Sequence, residues 1–107
     1  MIERLIVAIE ARLNDNNLSN KDLAKSLGMS ERNFSRKMHQ LTGMPPQKYV
    51  RQYRLERAMD FIKEGKFFTV NEIANAVGFI KADYFSYKFE EHFGKKPYQL
   101  LREMGLR

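Results

Sequence analysis

The sequence contains no cysteine and no tryptophan. Without thiols it can form no disulfide, thiolate zinc site or cysteine nucleophile, which fits a reducing, cytoplasmic compartment. No apolar run approaches the ~18 residues of a membrane span. The N-terminal stretch MIERLIVAIEARL carries two acids within an amphipathic pattern, unlike a signal peptide. No membrane association is therefore expected. Proline and glycine are few, three and six, so each one marks a boundary rather than a flexible tract. Acids are the minority, 13 against 19 Lys and Arg, for a net charge of +6 and a pI near 9.7. A basic balance of this size implies a polyanionic partner. The 107 residues, 43 % hydrophobic and 12 % aromatic, suffice for one small domain or two very small subdomains with a core, which excludes wholesale disorder.

The excess charge is local. From Arg32 to Arg57 stand seven basic residues (Arg32, Arg36, Lys37, Lys48, Arg51, Arg54, Arg57) and one acid, Glu56. Outside that window twelve basic and twelve acidic residues cancel. A patch points to nucleic acid more sharply than a diffuse excess does.

Periodicity along the chain predicts helices throughout. Ile2, Leu5, Ile6, Ile9 and Leu13 form the stripe of a first helix, ending in the turn at 14–17. Ser19 and Asp22 form a capping box, with Leu18 and Leu23 as its hydrophobic staple, for a short helix that closes at Gly28. Ser30 caps a third helix through about Thr42, with Phe34, Met38 and Leu41 inward and Gly43 as its stop. Pro46 opens a long helix to about Glu64, whose core stripe is Tyr49, Val50, Tyr53, Ala58, Phe61 and Ile62. The pattern then returns. Thr69 and Glu72 cap a short helix ending at Gly78. A following helix turns Phe85, Phe89 and His92 inward, and Gly94 stops it. Pro97 starts a last helix through about Met104.

Laid on itself, the chain repeats at an offset of 50 before the glycine turn and 51 after it. Asp22-Leu23-Ala24 matches Glu72-Ile73-Ala74, Gly28 matches Gly78, Phe34-Ser35 matches Phe85-Ser86, and Pro46 matches Pro97. Each copy is a short helix with a small alanine, a glycine turn and a helix with one apolar face, the layout of a helix-turn-helix. The expected fold is all-α, with about seven helices. Residues 1–45 form the first helix-turn-helix subdomain, 46–64 a linker helix and 65–107 the second subdomain.

These motifs resemble the DNA-binding domain of the AraC/XylS family of bacterial transcription regulators. The resemblance rests on Asp22-Leu23-Ala24 to Gly28-Met29-Ser30, Phe34-Ser35-Arg36, Leu41-Thr42-Gly43-Met44-Pro45-Pro46, Tyr49 and Arg54-Leu55 with Ala58. It resumes at Ile73-Ala74, Val77-Gly78-Phe79, Tyr84-Phe85-Ser86, Lys88-Phe89, Phe93-Gly94 and Pro97. It spans roughly residues 18–103 and implies sequence-specific binding of double-stranded DNA, with recognition helices 30–42 and 81–93 entering adjacent major grooves. A linker helix of about 18 residues, roughly 27 Å long, is compatible with the ~34 Å between successive grooves. The family also implies RNA polymerase as a partner and a sensory or dimerisation domain outside these residues.

With Phe34 inward, the outer face of the third helix holds Arg32, Arg36 and His39, flanked by Ser35 and Gln40. Arg36 suits bidentate pairing with guanine, and Arg32 suits guanine or phosphate. The resemblance implies base reading at Arg32, Ser35 and Arg36. In the second copy the outward set is Asp83, Tyr87 and Glu90, with Ser86 and Glu91 at the sides and Ala82 at the helix start. The base-reading candidates are thus Arg32, Ser35, Arg36, His39, Ala82, Asp83, Ser86 and Tyr87; the phosphate candidates are Lys37, Arg51, Arg54 and Lys88. Arg51, Arg54 and Arg57 also fit a solvated face with local pairs such as Arg57 to Asp60, and Arg54 also fits a structural role. Tyr87 stands where the family usually has a basic residue, and Ile80 where it has a polar one. The expected reader is therefore asymmetric, dominated by the first copy.

His39 and His92 lack paired ligand spacing, and Glu90-Glu91 has no accompanying nucleophile or pocket signature. No metal, cofactor or catalytic activity is expected. A protein-interaction adaptor and a non-specific nucleoid-type binder remain the alternative functions.

Overall fold

The computed structural model describes residues 1–105. Among them lie seven α-helices and no strand: α1 (Ile2–Ala11), α2 (Asn20–Ser26), α3 (Glu31–Thr42), α4 (Pro46–Glu64), α5 (Val70–Ala76), α6 (Ala82–Phe93) and α7 (Pro97–Leu100). A π-helical turn, Leu101–Gly105, continues α7. The chain divides into two compact units, Met1–Arg51 and the part from Gln52 onward, so the boundary falls inside α4.

In the first unit α2 packs on α1 and α3. Leu5 and Ile9 of α1, Leu23 and Ala24 of α2, and Phe34 and Met38 of α3 are buried, together with Leu13, Leu18, Leu27 and Val50. The capping box forms as expected: the Ser19 hydroxyl accepts from the Asp22 amide and the Asp22 carboxylate accepts from the Ser19 amide. At the other end Gly28 has φ +68°. Its amide donates to the Lys25 carbonyl and the Met29 amide to the Ala24 carbonyl, which satisfies the last carbonyls of α2. Gln47, in the first turn of α4, donates to the Leu18 carbonyl and the Asn20 side chain, fastening α4 to the start of α2.

The cap carries a titratable group. The Asp22 carboxyl is held below its ordinary value, chiefly because the Ser19 amide and hydroxyl stabilise the ionised form, with the Arg12 guanidinium 3.4 Å away adding to the effect. A depressed carboxyl stabilises the fold above its unfolded value near 4, and that contribution is lost as pH falls through the lower folded value. Acid titration followed by circular dichroism should therefore show the helical signal falling below about pH 4, and less steeply in Asp22→Asn.

The second unit repeats this plan. Ile73, Ala74 and Val77 pack with an aromatic series, Phe79, Phe85, Phe89 and Phe93, whose successive ring centroids lie 5.2, 5.6 and 4.6 Å apart. Leu55, Ala58, Phe61 and Ile62 of α4 and Pro97, Leu100 and Leu101 complete its core. Thr69 and Glu72 form the second capping box. The turn closes with the same hydrogen bonds, Gly78 to Asn75 and Phe79 to Ala74. Helix lengths match between the copies, seven residues for α2 and α5 and twelve for α3 and α6.

Two expected core positions are at the surface. Leu41 is 52 % exposed, and His92, its counterpart at the offset of 51, is also exposed. Both lie on the inner stripe but in the last turn. A seven-residue helix is about 10 Å long and a twelve-residue helix about 18 Å, so the short partner leaves that turn uncovered. In the second unit Glu56 of α4 reaches it instead, with its carboxylate 2.7 Å from Nε2 of His92. Ile2, Ile6, Tyr49 and Tyr53 are half-buried rather than core.

Candidate nucleic-acid interface

The turn after α2 sets the direction of α3. Ser30, in extended conformation, accepts from the Asn33 amide and starts the helix. Burial of Phe34 and Met38 then turns Arg32, Arg36, Lys37, His39 and Gln40 outward, all of them exposed, with Ser35 half-buried at the edge. Three cations share this helix with one carboxylate, Glu31. Arg32, Lys37 and His39 have no side-chain hydrogen bond or ion pair among the described residues. Arg36 has a local orienting contact: its Nη2 donates to Oδ1 of Asn33 at 2.8 Å, one turn back. Beside it opens a shallow depression of about 550 Å³, lined by Met29, Asn33, Arg36, Lys37 and Gln40. Its polar lining, open mouth and two cations suit an anionic or hydrogen-bonding edge rather than an apolar ligand.

α6 has the same geometry and the opposite charge. Asp83, Tyr87 and Glu90 are outward and exposed, Ala82 and Ser86 half-buried. One lysine, Lys88, faces three carboxylates on this helix. Its ammonium is 3.2 Å from Glu91 and lies over the rings of Tyr84 and Tyr87. The phosphate candidate Lys88 is thus half-buried and engaged within its own helix, in contrast to its counterpart Lys37.

The α6 start also departs from the first copy. Lys81 occupies the N-cap, where the first copy has Ser30, and provides no side-chain cap. Its φ −112° and ψ 125° suit a capping residue. Lys81→Ser should therefore restore a hydrogen bond to the Tyr84 amide and stabilise the chain by about 0.5–2 kcal/mol, read as a higher denaturant midpoint. Lys81 is an exposed cation outside the sequence-derived candidates, and the 51-residue offset aligns it with Ser30.

The arginines of α4 separate by environment. Arg51 is half-buried. Arg57 pairs with Asp60 at 3.1 Å and lies over the Phe61 ring at 4.7 Å, as the local-pair reading expected. Arg54 is 8 % exposed, and its Nη1 donates to the buried carbonyl of Gly78 at 3.1 Å. Of the two roles the sequence leaves open for Arg54, phosphate contact and structural support, this burial and the bond to the Gly78 carbonyl favour the structural one. Among the described residues no cluster of His, Asp or Glu could hold a metal, and no helix is long and apolar enough to cross a membrane.

Compared with known proteins, residues 23–103 match the family model described as a helix-turn-helix domain. The chain is 28 % identical to a Chromobacterium violaceum transcriptional regulator described as an AraC-type DNA-binding domain-containing protein. That match has a TM-score of 0.84 and covers 94 % of this chain and 88 % of the other. The chain belongs to the AraC-type helix-turn-helix family. The C-terminal domain of the two-component response regulator yesN from Fusobacterium nucleatum is also 28 % identical, with a TM-score of 0.79 over 92 % of this AraC-type chain and 95 % of that one. An uncharacterized transcriptional regulatory protein of Bacillus subtilis (strain 168), YesN, is 34 % identical over 107 residues, 98 % of this chain and 29 % of its own length. The AraC-type chain thus spans about 30 % of the length of the curated relatives it matches. AraC-type domains are DNA-binding regulator domains and not enzymes.

Proposed function

We propose that this AraC-type domain binds duplex DNA at specific sequences as the output domain of a bacterial transcription regulator in the cytoplasm, with α3 and α6 entering adjacent major grooves. The observation that carries the reading is the outer face of α3. It presents Arg32 and Arg36 for guanine edges, Ser35 and His39 for further base contacts and Lys37 for phosphate, all on a helix held rigidly by Phe34 and Met38. Arg51 and the newly recognised Lys81 are the further phosphate contacts. Lys88, bound to Glu91, contributes less, and Ala82, Asp83, Ser86 and Tyr87 form the second reading surface. RNA polymerase is the proposed downstream partner. A sensory or dimerising domain is the proposed companion, supported by the fraction of the relatives' length that this domain matches.

Selection of bound duplexes from a random library at about 150 mM salt, followed by titration of the selected site against scrambled DNA, tests the reading. A motif bound at least ~10³-fold more tightly than scrambled DNA, with two half-sites one helical turn apart, is expected. Binding that falls uniformly with salt and enriches no motif would assign the domain to non-specific DNA binding instead.

A further inference from the structure

We infer that α6 reads pyrimidine edges, cytosine amines and thymine methyl groups, so that the two helix-turn-helix copies recognise their half-sites with opposite chemistry. The inference rests on the DNA-binding reading above and concerns what the second copy reads. The 51-residue offset pairs the outward residues of the two helices: Arg32 with Asp83, Ser35 with Ser86, Arg36 with Tyr87, and His39 with Glu90. Where α3 offers cationic or nitrogen donors, α6 offers carboxylate acceptors and an aromatic ring on an otherwise equivalent twelve-residue helix.

Ionised carboxylates only accept hydrogen bonds. In the major groove the exocyclic amines of cytosine and adenine donate, but adenine places its N7 acceptor beside that amine, where it repels a carboxylate. Cytosine is therefore the base that Asp83 and Glu90 suit. Both side chains are exposed and have no hydrogen-bond or ion-pair partner among the described residues, so neither is already committed within the fold.

The apolar part of the face suits thymine. Ile80, just before the N-cap, is 72 % exposed, and Tyr87 is 61 % exposed; Tyr84 is exposed beside them. Lys88 lies over both tyrosine rings and gives its charge to Glu91, so it orders the rings without supplying a free cation to the groove. The thymine methyl is the one apolar group that the major groove displays. Lys81 at the helix start is left to hold the phosphate backbone against the repulsion from the acidic face.

The test uses the whole chain and the duplex recovered by selection. Each thymine of the second half-site is replaced in turn by deoxyuridine, which removes only the methyl group. At one or more positions binding should weaken about fourfold, the ratio that corresponds to burial of one methyl group. The effect should disappear in Tyr87→Ala or Ile80→Ala, and the same replacement in the first half-site should be neutral. Independently, Asp83→Asn should erase a cytosine preference in the second half-site while tightening binding to scrambled DNA. These substitutions are at exposed positions, and unchanged thermal midpoints establish that the variants fold. Either signature supports the inference. If deoxyuridine is neutral throughout the second half-site, and Asp83→Asn and Glu90→Gln leave base preference unchanged, the inference is overturned. A motif confined to the first half-site overturns it as well, leaving the acidic, aromatic face for a protein partner while DNA reading by α3 stands. Failure to enrich any duplex is a separate result: the DNA-binding reading itself then fails, and this inference with it.

Discussion

Arg36→Ala should lower the discrimination between the selected site and a site mismatched at one G·C pair by about 1–3 kcal/mol, with little change in stability. The stability part follows from exposure, because the side chain stands in solvent and its one side-chain hydrogen bond among the described residues is the local bond to Asn33. The binding part follows from the guanidinium fork, which matches O6 and N7 of guanine with two parallel hydrogen bonds. Asn33 restrains one side of that fork before DNA arrives, which lowers the cost of ordering it. Arg36→Lys should not restore discrimination, since an ammonium is a single point charge. Lys37→Ala provides the contrast: binding should weaken about equally on matched and mismatched sites, and the salt slope should fall by about 1. Equal losses on both sites for Arg36→Ala would remove it from the base-reading set.

Arg54→Ala should act the other way, costing about 1.5–3 kcal/mol of stability while the salt dependence of DNA binding by the folded fraction stays unchanged. Arg54 Nη1 donates to the Gly78 carbonyl inside the second unit. Truncation leaves that carbonyl buried without its donor and removes the bridge from α4 to the α5–α6 turn. Gly78 itself has φ +84° and cannot easily shift to find another partner. Chemical denaturation measures the first effect and titrations at several salt concentrations the second. A slope reduced by about 0.9 with unaltered stability would instead favour the phosphate-contact reading of Arg54.

The two arginines show how differently single positions can be read from the sequence. Arg36 lies between two strong markers, the Ser30 cap and the Phe34–Met38 stripe. Helical geometry alone therefore placed it outward, and the structure does the same. Arg54 lies mid-way along α4 in a run where Arg51, Arg54 and Arg57 recur at every third position. That spacing spreads them over adjoining faces. Nothing local says which one meets the Gly78 carbonyl 24 residues away. Leu41 and His92 failed for a related reason: periodicity states the direction of a side chain and not whether a neighbour extends far enough to cover it.

Helix limits, caps and turns were determined by the sequence alone, because their causes act within four or five residues. The two capping boxes, the left-handed glycines and the prolines opening α4 and α7 satisfy or terminate backbone hydrogen bonds wherever the helix later packs. The internal repeat, and with it the pair of helix-turn-helix units, was legible for the same reason. Tertiary structure alone decided which charges meet partners distant in the sequence. It buried Arg54 against Gly78 and joined His92 to Glu56, whereas Lys88 meets Glu91 and two tyrosine rings within its own helix. Arg32, Lys37 and Asp83 it left without partners among the described residues. A charged side chain reaches several ångströms, and its partner is set by the register of packed helices. The long-range part of charge availability is therefore a property of the fold, and composition by itself does not contain it.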